Sequence, residues 1–181
     1  MSLHLADLDA CTRRYMLEEF DADLAAGTLY RSPQLSEQGA DRYQSLLRAA
    51  LTDGSDVSFA EALGKCGAVL PPGRWQNSKD VAAEDATLAA TVLLAEREFH
   101  RFYIRGLCRR ALDAAVETLV IYRAKPSDPG RSSSDAMVGV QITVRSLLED
   151  LRGSFRSLPP HGLPQCRDPG LSVRLPDTVL T

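Results

Sequence analysis

Apolar side chains recur at helical spacing through most of the chain, and the first such run lies over residues 7–27. Asp7 is placed to cap it and Gly27 to end it in the left-handed C′ position. At about 100° per residue, Leu8, Cys11 and Tyr15 form one face and Met16, Phe20 and Leu24 an adjacent one, an arc wide enough to need two neighbours. After "YRSPQ" a second helix is predicted from Ser36 through Tyr43, Leu46, Leu47 and Leu51 to the "TDGSD" turn. Ser58 and Glu61 have capping-box spacing and predict a short third helix that stops at Gly64 or Gly67.

Pro71, Pro72 and Gly73 then punctuate a connector, because proline and glycine break regular helix. From about Asp80 a long helix is predicted, with Leu88, Val92, Ala95, Phe99, Phe102, Tyr103 and Gly106 on its buried face. The period changes downstream. "TLVIYRA" (118–124) reads as a buried strand and "MVGVQITV" (137–144) as a second, with the polar loop "KPSDPGRSSSD" between them. Thr143 can cap a last helix, "VRSLLEDLR". The expected fold is therefore α+β and mainly α, with one long central helix, a small two-stranded element and an extended C-terminal arm. Its expected division is a helical domain over 1–153 and a proline-rich arm over 154–181. Within the arm, Leu171, Val173 and Leu175 alternate with Ser172 and Arg174, as an added edge strand would. Leu171, Val173, Arg174 and Leu175 are the expected docking residues.

The chain's 181 residues fit one domain of ordinary size that needs neither disulfide nor metal to build a core. Apolar residues make up 44% and charged residues 25%, which excludes a disordered chain. There is no run of some 18 apolar residues and no basic-then-apolar leader in "MSLHLADLDACTRR", so no membrane association is expected and the location expected is the cytoplasm or an intracellularly assembled particle. Cys11, Cys66, Cys108 and Cys166 are far apart and without metal spacing, and read as reduced structural thiols.

Charge brings in the one unusual feature. Arg97, Arg101, Arg105 and Arg109 are each four residues apart and form a stripe on the long helix, with Arg110 beside it. The stripe lies away from the Phe99, Phe102 and Gly106 face, so it is expected to be exposed or covered by something other than the principal core. Within the helix only Asp113 stands four residues from one of these arginines, Arg109. Three readings stay open: Glu18, Glu19, Asp21 and Asp23 of the first helix, or water, satisfy the stripe; it meets a protein subunit, since Arg, Phe and Tyr are enriched at such contacts; or it binds nucleic-acid phosphate. The net charge of −3 disfavours the last.

Catalytic chemistry has little support. His4, His100 and His161 sit in no motif with a nucleophile, and Ser132-Ser133-Ser134-Asp135 lacks the nucleophile elbow. "EEFDAD" lacks the spacing of a calcium loop, and no glycine-rich phosphate loop is present. No catalytic residue, metal or cofactor is expected. A pocket around His100 with a carboxylate in reach would revive an enzyme.

At "EFHRFYIRGLCRRA", "VIYRAK", "SLLEDLR" and "GLSVRLP" the chain resembles a group of small proteins found in GC-rich bacteria and their prophages, over about residues 84 to 176. That resemblance implies no activity and no active residues. The combined pattern points to a structural or assembly protein, a subunit of a particle or ring of the phage head, neck or tail-connector type, whose partners are copies of itself or other subunits. The alternative is a small binding module acting on a host or regulatory partner, with nucleic acid a lesser possibility, through the same arginines.

Overall fold

The computed structural model describes residues 3–73, 81–126, 135–153 and 170–177. The fold is α+β and mainly helical: α1 (Ala10–Ala26), α2 (Glu37–Asp53), α3 (Asp56–Lys65), the long α4 (Val81–Asp113), β1 (Thr118–Arg123), β2 (Gln141–Thr143), α5 (Val144–Gly153) and β3 (Leu171–Arg174). Two compact units divide it, one from the residues up to Ala22 and from His100 onward, the other Asp23–Phe99. The boundaries fall inside α1 and α4, and the arm's strand belongs to the first unit; most of the expected arm, 154–181, lies outside the described residues.

In the Asp23–Phe99 unit, α2 starts as predicted: Ser36 is its N-cap, and its side chain accepts from the Gly39 N–H at 3.0 Å. The predicted Ser58/Glu61 box is displaced by one turn. Ser55 caps α3, and its hydroxyl oxygen accepts from the Ser58 N–H at 3.1 Å while that of Ser58 accepts from the Ser55 N–H at 2.8 Å. Serine at the third helical position replaces the glutamate of the usual pattern, which is why the motif is inconspicuous. Tyr43 and Phe59 join the two helices with ring centroids 5.9 Å apart. Gly39 lies against the chain after α3, where an added methyl would stand 2.7 Å from the Ala68 Cα. In this part of α4, Thr91, Leu94 and Ala95 are buried, whereas Leu88 and Val92, predicted inward, are exposed.

The other unit holds a three-stranded antiparallel sheet in the order β2-β1-β3, one strand more than the sequence predicts. The register pairs Leu119 with Ile142 and Ile121 with Val173. The third strand is the arm itself. Gly139 adopts φ +86° and donates to the Ile121 carbonyl at 2.8 Å, so the predicted strand over 137–144 shrinks to Gln141–Thr143 and leaves Val138 and Val140 exposed. Met16, Phe20, Phe102, Leu119, Leu147, Leu151, Leu171 and Val173 are buried here. Phe20 and Phe102 meet edge to face at 5.9 Å.

Candidate functional site

The site is the cationic side of α4 after His100, with the segments that cover it. Its construction starts at Gly106. A methyl there would sit 2.7 Å from Met16 Cγ and 2.8 Å from the Met16 backbone nitrogen, so α1 approaches α4 to a distance that only glycine permits. One turn further along α1, Glu19 is thereby carried over Arg105.

Arg105 is 1% and Glu19 2% exposed; Arg105 Nη2 lies 2.8 Å and Nε 2.9 Å from the same carboxylate oxygen, Glu19 Oε2. The guanidinium also lies 5.1 Å from the Phe102 ring centre. Arg152 of α5 donates to both Glu19 oxygens, from Nε to Oε2 at 3.0 Å and from Nη2 to Oε1. Arg109 Nη1 reaches Oε1 at 3.9 Å, an ion pair without a hydrogen bond. Burial by itself raises the Glu19 carboxyl; hydrogen bonds from Arg152 and the charge of Arg105 outweigh it and hold the group below the usual carboxylate range.

The other predicted arginines are distributed differently. Arg101 is buried and donates through Nη2 to the Leu151 carbonyl. Arg110 pairs with Asp9 and also donates to the Thr12 hydroxyl, at 2.7 and 2.9 Å. Arg97 is half-buried and lies in the Asp23–Phe99 unit. Asp113 accepts from the Tyr15 hydroxyl at 2.7 Å. Of the two alternatives for the stripe, exposed or covered, Arg101 and Arg105 take the second: the Leu151 carbonyl accepts from Arg101, and the close approach at Gly106 brings the Glu19 carboxylate over Arg105. Of the four acidic candidates on the first helix, Glu19 is the one brought to Arg105, Arg109 and Arg152.

Asp9, not Asp7, caps α1: its Oδ1 accepts from the Thr12 N–H at 2.9 Å. Partial burial pushes the Asp9 carboxyl up, but the Thr12 N–H and Arg110 bring it below its ordinary value. Asp7 is thereby released for the arm, and its Oδ2 accepts from the Leu175 N–H at 2.8 Å.

The arm's docking residues line up behind that contact. Leu171, Val173 and Leu175 are buried on β3 and just after it, and Arg174 is half-buried beside Asp177, which accepts from it. Ser172, on the opposite face of the strand, is also fully buried and lies 2.9 Å from His100 Nε2. The Tyr103 hydroxyl donates to the Val173 carbonyl at 3.2 Å, and the Tyr122 hydroxyl donates to the His4 carbonyl at 2.7 Å while accepting from the Ala6 N–H at 2.9 Å. Burial lowers His100 to about 4, so the ring is neutral at neutral pH. The same cause raises the Tyr103 hydroxyl and the Cys108 thiol far above their ordinary values.

Sequence reasoning placed Leu171, Val173 and Leu175 by their alternation and named Glu19 and His100 among its candidates, but it missed the burial of Ser172 and the part played by Arg152. A polar residue between apolar neighbours normally marks the solvent side of a strand. A serine opposite a histidine at 2.9 Å carries the atoms of a nucleophile and base, but both are buried, which suits the pair to holding the strand. Among the described residues no helix is long and apolar enough to cross a membrane. The chain matches no family model, no curated protein and no solved structure.

Proposed function

We propose that the protein is an assembly subunit, part of a larger particle or ring such as a phage head, neck or tail connector, and that its C-terminal strand is the element exchanged between copies. The observation that carries this reading is β3. It adds to the β1 edge with both faces buried, yet it follows 16 residues (154–169) after the last described residue of α5. At 3.3–3.6 Å per residue, 16 residues can span at most about 55 Å. A β3 from a neighbouring copy makes every contact that the chain's own β3 makes, so exchange loses no buried surface while it joins subunits. The competing reading, a binding module using the arginine stripe, has less support because Arg101 and Arg105 are buried inside one unit.

The test places cysteines at the paired positions Val120 and Arg174, with the native cysteines replaced, and oxidises the full-length protein over a range of concentrations. Strand exchange gives disulfide-linked dimers and higher multimers on non-reducing gels, together with a multimeric mass by light scattering. Intrachain disulfides alone, in a protein monomeric at every concentration, would sink the proposal.

A further inference from the structure

We infer that the first half of α4 is the docking face for an amphipathic helix of another protein, one that sets apolar side chains on Leu88 and Val92 and lysine or arginine beside Glu84 and Asp85. One apolar stripe runs along α4: at about 100° per residue, Val81, Leu88, Val92, Ala95, Phe99 and Phe102 fall within about 80° of arc. Its two halves fare differently. Phe99 and Phe102 are buried, and Phe20 of α1 packs on the Phe102 ring. Toward the N-terminus the stripe emerges: Ala95 is 0%, Val92 37%, Leu88 60% and Val81 74% exposed. Ala82, Ala89 and Leu93 are exposed beside it.

An exposed helix face ordinarily carries charge, and this one has almost none. Residues 86–95 include no charged side chain. The two hydroxyls among them turn back on the helix: Thr87 Oγ1 donates to the Ala83 carbonyl at 2.7 Å and Thr91 Oγ1 to the Thr87 carbonyl at 2.8 Å. Covering this face therefore strands no hydroxyl, and the apolar patch is of the kind that marks an interaction site. The charge that remains is of one sign. Glu84 and Asp85 are exposed, and neither has an ion-pair partner among the described residues. Asp85 lies on the stripe itself, a turn before Leu88, and this decides the occupant. A second copy docked in parallel sets Asp85 on Asp85. Docked antiparallel about the middle of 81–92, it sets Asp85 against Leu88 and leaves the two carboxylates about one helical turn apart. Either arrangement brings like charges into a water-poor contact, whereas a cation level with Glu84 and Asp85 answers both of them.

The docking face shares no residue with β3, so the inference stands apart from strand exchange. The test is fluorescence anisotropy of two labelled synthetic helices titrated with the full-length protein. Both carry leucine at the spacing of the stripe; the remaining positions are lysine in one and glutamate in the other. Saturable binding of the lysine peptide is expected, at least ten-fold tighter than that of the glutamate peptide. Leu88→Gln with Val92→Gln should weaken it at least ten-fold, and Glu84→Gln with Asp85→Asn should remove the preference for lysine. Val138→Gln with Val140→Gln, which deletes exposed apolar side chains elsewhere, should leave it unchanged. No binding of the lysine peptide, equal binding of the two peptides, or an equal loss in the Val138 and Val140 variant would overturn the inference. So would a wild-type multimer that Leu88→Gln with Val92→Gln converts to monomer, since a second copy would then be the occupant. All four substituted positions of α4 are exposed, where a change of side chain costs a fold little, and retained circular dichroism verifies that the variants are folded.

Discussion

His100 Nε2 and Ser172 Oγ lie 2.9 Å apart across 72 residues of sequence, and both side chains are buried. The pair fixes β3 to α4, and it makes the docking sensitive to acid. The folded pKa of His100, about 4, lies below its ordinary 6.5, so in that interval the unfolded chain binds a proton that the folded chain does not. Stability therefore falls as the pH drops from 6.5 toward 4, by ~3 kcal/mol on the order-of-magnitude conversion of pKa shift to free energy. Urea midpoints measured across this window should decline in the wild type and stay nearly flat in His100→Gln. Equal slopes in the two proteins would remove His100 as the cause. Glu19, with its lowered carboxyl, adds its own loss only at lower pH, as the solution passes from its unfolded toward its folded value.

Removing the carboxylate at Glu19 leaves Arg105 charged and buried. Glu19→Gln is expected to lower stability by about 3–5 kcal/mol, the range for a buried pair that has lost one partner. Replacing both residues, as Glu19→Leu with Arg105→Met, should recover part of that loss, since neither charge of this buried pair then remains. Chemical denaturation of the single and double variants checks this. A double variant no more stable than Glu19→Gln would mean that the pair's value lies in its geometry.

Gly106 tests the close approach of α1 and α4. Gly106→Ala places a methyl against the Met16 backbone nitrogen, which cannot rotate away. A loss of about 1–3 kcal/mol is expected, the usual cost of overpacking. Gly153→Ala, where an added methyl meets nothing within 4 Å, is the control and should be close to neutral in thermal unfolding.

The end of α4 offers a gain. Val116 N–H donates to the Ala111 carbonyl at 2.8 Å and Ala115 N–H to the Leu112 carbonyl at 3.1 Å, a Schellman closure with Ala115 in the left-handed position at φ +55°. Alanine is strained in that conformation and glycine is not. Ala115→Gly should stabilise the protein by about 0.5–1 kcal/mol, net of the entropy glycine adds to the unfolded chain. An unchanged or lower melting temperature would show that Ala115 holds this conformation without cost.

Helix starts and stops were legible where one residue type carries the signal. Ser36 and Gly27 stand where their chemistry predicts, the latter at φ +67° with the Thr28 N–H closing on the Asp23 carbonyl. The capping box at Ser55 and Ser58 escaped notice because a more familiar Ser/Glu spacing lies three residues on. The strand 118–123 and the alternation at 171–175 were visible, but their pairing was not, since a register between distant segments leaves no local trace. Burial of Arg105 was illegible for a different reason. Periodicity finds the side of a helix that is apolar, whereas Arg105 is enclosed through a glycine one residue away and a carboxylate on another helix.

The division of the chain also sets an order on its biosynthesis. Asp23–Phe99 is contiguous, while the other unit needs segments from both sides of it. At about 5–20 residues per second, a ribosome delivers Leu171 roughly 2–10 s after Arg123, the end of β1. Throughout that interval the β1 edge has no β3 beside it and His100 has no Ser172. A strand from a nascent neighbour on the same message can arrive there first, so polysome density, and not only the concentration of finished protein, would influence which chain's β3 is seated.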